Sequence, residues 1–123
     1  MQNSSNFQVY NASAGSGKTF TLVKEYLKVV LQSDDRFVFQ KILAITFTNK
    51  AASEMKERVL DNLKLFSEGG KNDLLIKIIE ETTLDTNTIQ KRSSIILEAI
   101  LQNYSAFAIT TIDSFTHKII KSF

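Results

Sequence analysis

Ala12-Ser13-Ala14-Gly15-Ser16-Gly17-Lys18-Thr19 is the stretch that decides the fold. It reads as a phosphate-binding loop in the right surroundings. Before it, Phe7-Gln8-Val9-Tyr10-Asn11 alternates like a short strand; after it, Phe20, Val23, Leu27 and Val30 recur at helical spacing. A helix N-terminus offers unpaired N–H groups and partial positive charge to a triphosphate. Gly15 and Gly17 let the backbone approach the phosphates without a Cβ in the way. Lys18 then reaches the β- and γ-phosphates, and the Thr19 hydroxyl meets Mg²⁺. The strict pattern begins with glycine, and Ala12 stands there instead, so the loop must accept a methyl group where it leaves the strand. The plainer reading is a Gly/Ser turn that merely precedes a helix.

The chain has 123 residues, enough for one domain with a modest core. It has no cysteine, so it carries neither a disulfide framework nor a thiolate metal site. It has no long apolar run of membrane-spanning length, and Met1 to Asn6 lack the basic and apolar parts of a signal peptide. A cytoplasmic setting without membrane partners is expected. The net charge of +2 is too small to argue for nucleic acid by itself.

The first helix is predicted over Lys18 to about Gln32, followed by a polar loop at Ser33-Asp34-Asp35-Arg36. Lys41 to Phe47 is a continuous apolar run, as in a strand buried on both faces. Thr48-Asn49 caps a second helix with Met55, Val59, Leu63 and Phe66 on one stripe, which Gly69-Gly70 ends. Asp73 to Thr83 forms a short helix with Leu74, Leu75, Ile78 and Ile79 inward. Asp85 to Thr88 is a turn and cap. Ile89 to Tyr104 is a longer helix with Ile96, Leu97, Ile100 and Leu101 inward. Ala106 to Ile112 is a third strand, and Asp113 or Ser114 caps a last helix bearing Phe115, Ile119, Ile120 and Phe123. Alternating strands and helices imply an α/β layer fold with a parallel sheet. Ligands of such sheets bind at the carboxyl ends of the strands. That edge receives residues 12–19, 47–50 and 112–114.

The end of the second strand, Thr46-Phe47-Thr48-Asn49-Lys50, combines an aromatic, a cation and small hydrogen-bonding groups. Phe47 can stack on a base while Lys50 and the helix N-terminus meet phosphates. Equally, Phe47 can pack in the core and Asn49 only cap. Asp113 ends an apolar strand, as a Mg²⁺-organising aspartate would. Ser114 follows it instead of a second acid, and a helix cap is the simpler role. His117, the single histidine, reads as a solvated helix residue, and Tyr10 and Tyr104 as packing residues.

Three blocks, ASAGSGKTFTL, ILAITFTNKAASEMKERV and ITTIDSF, together resemble the opening of a UvrD/RecB-type superfamily 1 DNA helicase. The first resembles the helicase phosphate-loop motif. The second resembles the motif that follows it over its whole length. The third resembles a DNA-contacting motif in which Asp113 stands where a histidine is usual, as is familiar in the RecB/AddA-like branch. The roughly 40-residue helical stretch between the second and third blocks points to the same branch. The resemblance covers nearly the whole chain. It implies a P-loop NTPase (RecA-like) three-layer fold: a partial parallel sheet with helices on both faces and a helical insertion over about 67–104.

The resemblance also implies site residues. Ala14, Gly15, Ser16, Gly17, Lys18, Thr19 and Phe20 would bind the phosphates of ATP, with Lys18 and Thr19 catalytic and Thr19 on Mg²⁺. Thr46, Phe47, Asn49, Lys50, Thr111, Asp113 and Ser114 would lie along single-stranded DNA. The adenine-contacting glutamine of UvrD-like proteins has no clear counterpart, because Gln8 lies inside the predicted first strand.

A motor of this class also needs an Asp-Glu pair and arginines from a second motor domain, and no such pair follows the third strand. The chain is therefore expected to be the N-terminal part of a helicase or helicase-nuclease, inactive alone. Its expected partners are DNA, nucleotide, the remaining polypeptide and a second nuclease or helicase subunit, with self-association through exposed sheet edges. Two other functions compete: a small P-loop kinase acting on a metabolite, and a non-catalytic nucleotide-binding module. A kinase lid needs arginines, and residues 67–104 contain only Arg92.

Overall fold

The computed structural model describes residues 17–112 and 116–117. These form four α-helices and a small parallel sheet: α1 (Gly17–Gln32), β1 (Ala44–Thr46), α2 (Asn49–Ser67), α3 (Asp73–Glu81), α4 (Thr86–Gln102) and β2 (Ile109–Thr111). Short 3₁₀ turns at Val38–Lys41 and Tyr104–Ala106 lead into the two strands. The predicted first strand at 7–11 and the last helix beyond Asp113 fall largely outside the described residues.

β1 and β2 pair in parallel, with Ala44 opposite Ile109, Ile45 opposite Thr110 and Thr46 opposite Thr111. Both strands are shorter than their apolar runs suggest. Lys41 belongs to the 3₁₀ turn and Phe47 lies beyond the ladder, 54% exposed, so burial on both faces holds only for Ala44 to Thr46. The run from Ala106 contracts in the same way, because Tyr104–Ala106 closes a 3₁₀ turn through Phe107 N–H to the Tyr104 carbonyl.

Helix ends follow local chemistry. The Thr48 hydroxyl accepts the Ala51 N–H at 3.0 Å and caps α2. Asn72 caps α3 by accepting the Leu75 N–H. Asp85 caps α4 by accepting the Thr88 N–H at 2.8 Å, so α4 begins at Thr86, one turn earlier than its apolar run. That N–H holds the Asp85 carboxyl below its usual range. The last turn of α2 closes in a Schellman motif: Gly69 N–H bonds the Phe66 carbonyl and Gly70 N–H the Leu65 carbonyl, with Gly69 at φ +82°. A Cβ at Gly70 would overlap the Leu65 side chain.

Val23, Leu27 and Val30 of α1, Met55, Val59, Leu63 and Phe66 of α2, and Leu74, Leu75 and Ile78 of α3 meet in one core. From α4 the core receives Ile89, Ile96, Ala99 and Ile100. Leu101, expected inward, is 59% exposed, because the buried row of α4 runs Ile89, Ser93, Ile96, Ile100 and leaves Leu101 on the far side. Tyr26 is buried edge-on against Phe107 with ring centroids 5.9 Å apart, and burial pushes its phenol pKa well up.

Polar ties hold α3 and α4 in place. Glu81 at the end of α3 bridges to Lys24 at 2.8 Å and to Lys28 at 2.9 Å, both on α1. Hydrogen bonds from these two lysines hold the Glu81 carboxyl at about 2, and Glu81 in turn raises Lys28. Arg92 on α4 donates to the Leu31 carbonyl and to Asp34.

Candidate nucleotide and nucleic-acid edge

Because β1 and β2 run parallel and in register, the segments that leave their carboxyl ends, from Phe47 and from Ile112, start side by side. At this edge Phe47, Asn49 and Lys50 are exposed, whereas Thr46 and Thr111 are buried. The Thr46 hydroxyl lies 3.1 Å from the Thr48 carbonyl and 3.2 Å from the Thr110 carbonyl, both acceptors. It thereby ties the start of the loop to the neighbouring strand. Core packing of Phe47 does not fit its exposure. Asn49 and Lys50 open α2, where the first N–H groups have no partner inside the helix and favour anions.

Gly17 and Lys18 open α1, Thr19 is buried in its first turn, and Phe20 is 37% exposed. Ala14, Gly15, Ser16, Asp113 and Ser114 lie outside the described residues. Among the described residues no group of three or more His, Cys, Asp or Glu side chains is placed to hold a metal ion. The Thr19 hydroxyl is a hard oxygen donor of the kind Mg²⁺ takes beside phosphate oxygens.

Phe20 also lines a cavity of about 240 Å³ between α1, α2 and α3, together with Val23, Arg58, Asn62, Asn72, Asp73 and Leu74. Sequence reading did not single out this group. Its one visible signal is Arg58 and Asn62 at i, i+4 spacing, which places both on one face of α2. Asn62 and Asn72 are linked to each other at 2.8 Å.

The family model for the UvrD/REP helicase N-terminal domain matches residues 2–123. The chain belongs to the UvrD/REP helicase N-terminal domain family. One curated relative is an ATP-dependent helicase/nuclease subunit of Clostridium perfringens strain 13. It is 36% identical over 95 residues, covering 76% of this chain and 7% of the relative. The like-named proteins of Clostridium botulinum strain Langeland and Clostridium kluyveri strain ATCC 8527 are 34% and 32% identical, covering 80% and 88% of this chain. The chain thus spans only 7–8% of the length of these relatives. No solved structure matches it. UvrD/REP membership takes the ground from the metabolite-kinase reading, and Arg92, the one arginine available to a lid in 67–104, is committed to Leu31 and Asp34. Among the described residues no helix is long and apolar enough to cross a membrane.

Proposed function

We propose that this chain is the ATP-binding and single-stranded-DNA-contacting part of an ATP-dependent DNA helicase or helicase-nuclease, working in the cytoplasm as part of a longer polypeptide with a second nuclease or helicase subunit. The observation that carries the reading is the in-register parallel pair β1–β2. It starts an exposed Phe47-Asn49-Lys50 group beside the segment after Thr111, in a chain matched throughout by a helicase domain family. The fold proposed is the P-loop NTPase sheet, with the segment at 7–11 as its first strand and α3 and α4 as a helical insertion over about 67–104.

In this reading the backbone N–H groups of residues 14–18 cradle the ATP phosphates, Lys18 neutralises their charge, and Thr19 holds Mg²⁺. Phe20 stands three residues after Gly17, a backbone rise of roughly 4.5 Å along the α1 axis, and closes the phosphate-binding group. On the DNA side, Phe47 stacks on a base and Lys50 meets a phosphate, with Asn49, Asp113 and Ser114 beside them. Thr46 and Thr111 contribute backbone groups and support.

Titration of labelled ATP with Mg²⁺ tests the nucleotide half. Lys18→Ala removes a charge-assisted contact worth about 1.5–3 kcal/mol and should weaken binding accordingly. Equal affinity of both proteins would overturn the assignment.

A further inference from the structure

We infer that the groove between the loop after α1 and the face of α4 that carries Arg92 and Ile95 seats an acidic segment of the longer helicase polypeptide. That segment sets a carboxylate against Arg36 and Arg92 and an apolar side chain against Ile95. The inference rests on the reading proposed above only in taking this chain as part of such a polypeptide.

The groove has a volume of about 140 Å³ and is lined by Ser33, Asp34, Arg36, Arg92, Ile95 and Ile96. Ile96 is buried and Ile95 is 40% exposed, so folding leaves the apolar side of the groove open. Its polar side is ordered in advance. Arg92 donates from Nη1 to the Leu31 carbonyl at 2.8 Å and from Nη2 to the Asp34 carboxylate at 2.7 Å. In the loop, the Asp35 N–H donates to the Ser33 hydroxyl at 3.0 Å, and the Phe37 N–H donates to the Asp35 carboxylate at 2.9 Å. A turn held in this way needs little further ordering when a partner docks. The acids beside Arg36 are engaged elsewhere: Asp34 with Arg92, and Asp35 with Lys41 at 3.6 Å. Arg36 is exposed and forms no ion pair among the described residues.

The chemistry of the groove selects the occupant. Its lining carries two positive charges, Arg36 and Arg92, and one negative, Asp34, so a single carboxylate neutralises it. A carboxylate also takes the charge-assisted bonds that a free guanidinium offers, and an apolar neighbour covers Ile95. A phosphate dianion would meet the Asp34 carboxylate at closer to twice the repulsion. Nor is the groove part of the phosphate loop. It lies at the end of α1, whose 16 residues rise roughly 24 Å from Gly17. The source is the same polypeptide. This chain spans only 7–8% of the length of its relatives, so most of such a protein remains to pack against it. A tethered segment docks at high effective concentration, for which a small groove with one ion pair suffices.

Photo-cross-linking of the longer helicase polypeptide tests this, with p-benzoylphenylalanine introduced in place of Ile95 and the link mapped by mass spectrometry. The expected link joins two parts of one polypeptide, and the captured segment has Asp or Glu next to an apolar residue. Arg36→Glu should lower the yield roughly tenfold, the scale of one lost hydrogen bond to a charged group. Replacing the captured acid by lysine in the Arg36→Glu background should restore it. Arg36 is exposed, so Arg36→Glu should melt as wild type does in the 123-residue chain, and Arg36→Ala serves if it does not. No link, a link between two polypeptides, a captured segment without a carboxylate, or a yield that neither Arg36 variant changes would overturn the inference. So would loss of the link on adding inorganic phosphate at constant ionic strength, which would make the groove a phosphate site. Lys18→Ala binding ATP as well as wild type would overturn the nucleotide reading and leave this result standing.

Discussion

Thr46 and Thr111 stand opposite each other at the carboxyl ends of two parallel strands, both buried, and the exposed chain begins with the very next residue on each side. This pairing sets the spacing between the loop after β1 and the segment after β2. The Thr46 hydroxyl reinforces it from below, within reach of the carbonyls of Thr48 and Thr110.

Thr46→Val keeps the shape and removes that donor. It should destabilise the fold by about 1 kcal/mol, the usual net value of one buried hydrogen bond. Chemical denaturation of both proteins measures this. An unchanged midpoint would show that the hydroxyl does not tie the edge together.

The tie between α1 and α3 is pH-dependent. The folded-state pKa of Glu81, about 2, lies below its ordinary 4.5, so its contribution to stability is complete above pH 4.5. It should fade as pH falls from there towards 2. Lys28 is shifted the other way, so its share is complete below its ordinary 10.5 and is lost as pH rises through the higher folded value. Melting curves from pH 2 to 7 should show wild type and Glu81→Gln converging at the acid end. A constant gap across that range would contradict the assignment.

Gly69 holds the left-handed turn that ends α2. Gly69→Ala should cost about 1–2 kcal/mol, because an L side chain resists that conformation. Gly70→Ala should also destabilise, for a different reason: its Cβ would meet the Leu65 side chain. Thermal melts of the two variants check both. A Gly69→Ala protein as stable as wild type would mean that the turn rearranges.

Much of this architecture was legible because it rests on local chemistry. Thr48, Asp85 and Gly69-Gly70 act within one turn of where they stand, and the α2 stripe of Met55, Val59, Leu63 and Phe66 needs only helical periodicity. What escaped depends on neighbours far along the chain. Leu101 has the right spacing for the core, yet α4 meets α2 through a face that passes it by. Phe47 ends an apolar run, but strand pairing stops at Thr46, and only the pairing decides that its ring is exposed. The Phe20–Arg58–Asp73 cavity joins three helices, and no window along the sequence contains it. At the site, sequence reading chose residues by type; burial then separates Phe47, Asn49 and Lys50 at the surface from Thr46 and Thr111 beneath.

The most direct test of the account is single-stranded-DNA binding by wild type, Phe47→Ala and Lys50→Ala, followed by fluorescence anisotropy at several salt concentrations beside melting curves, in the longer helicase polypeptide proposed to contain this chain. Phe47 is 54% exposed, so Phe47→Ala should melt near wild type while losing about 1–3 kcal/mol of DNA binding with little change in salt slope. Lys50→Ala should weaken binding and make the slope shallower by about one phosphate contact. If folded Phe47→Ala and Lys50→Ala both bind DNA as wild type does, the edge formed by β1 and β2 is not the nucleic-acid edge.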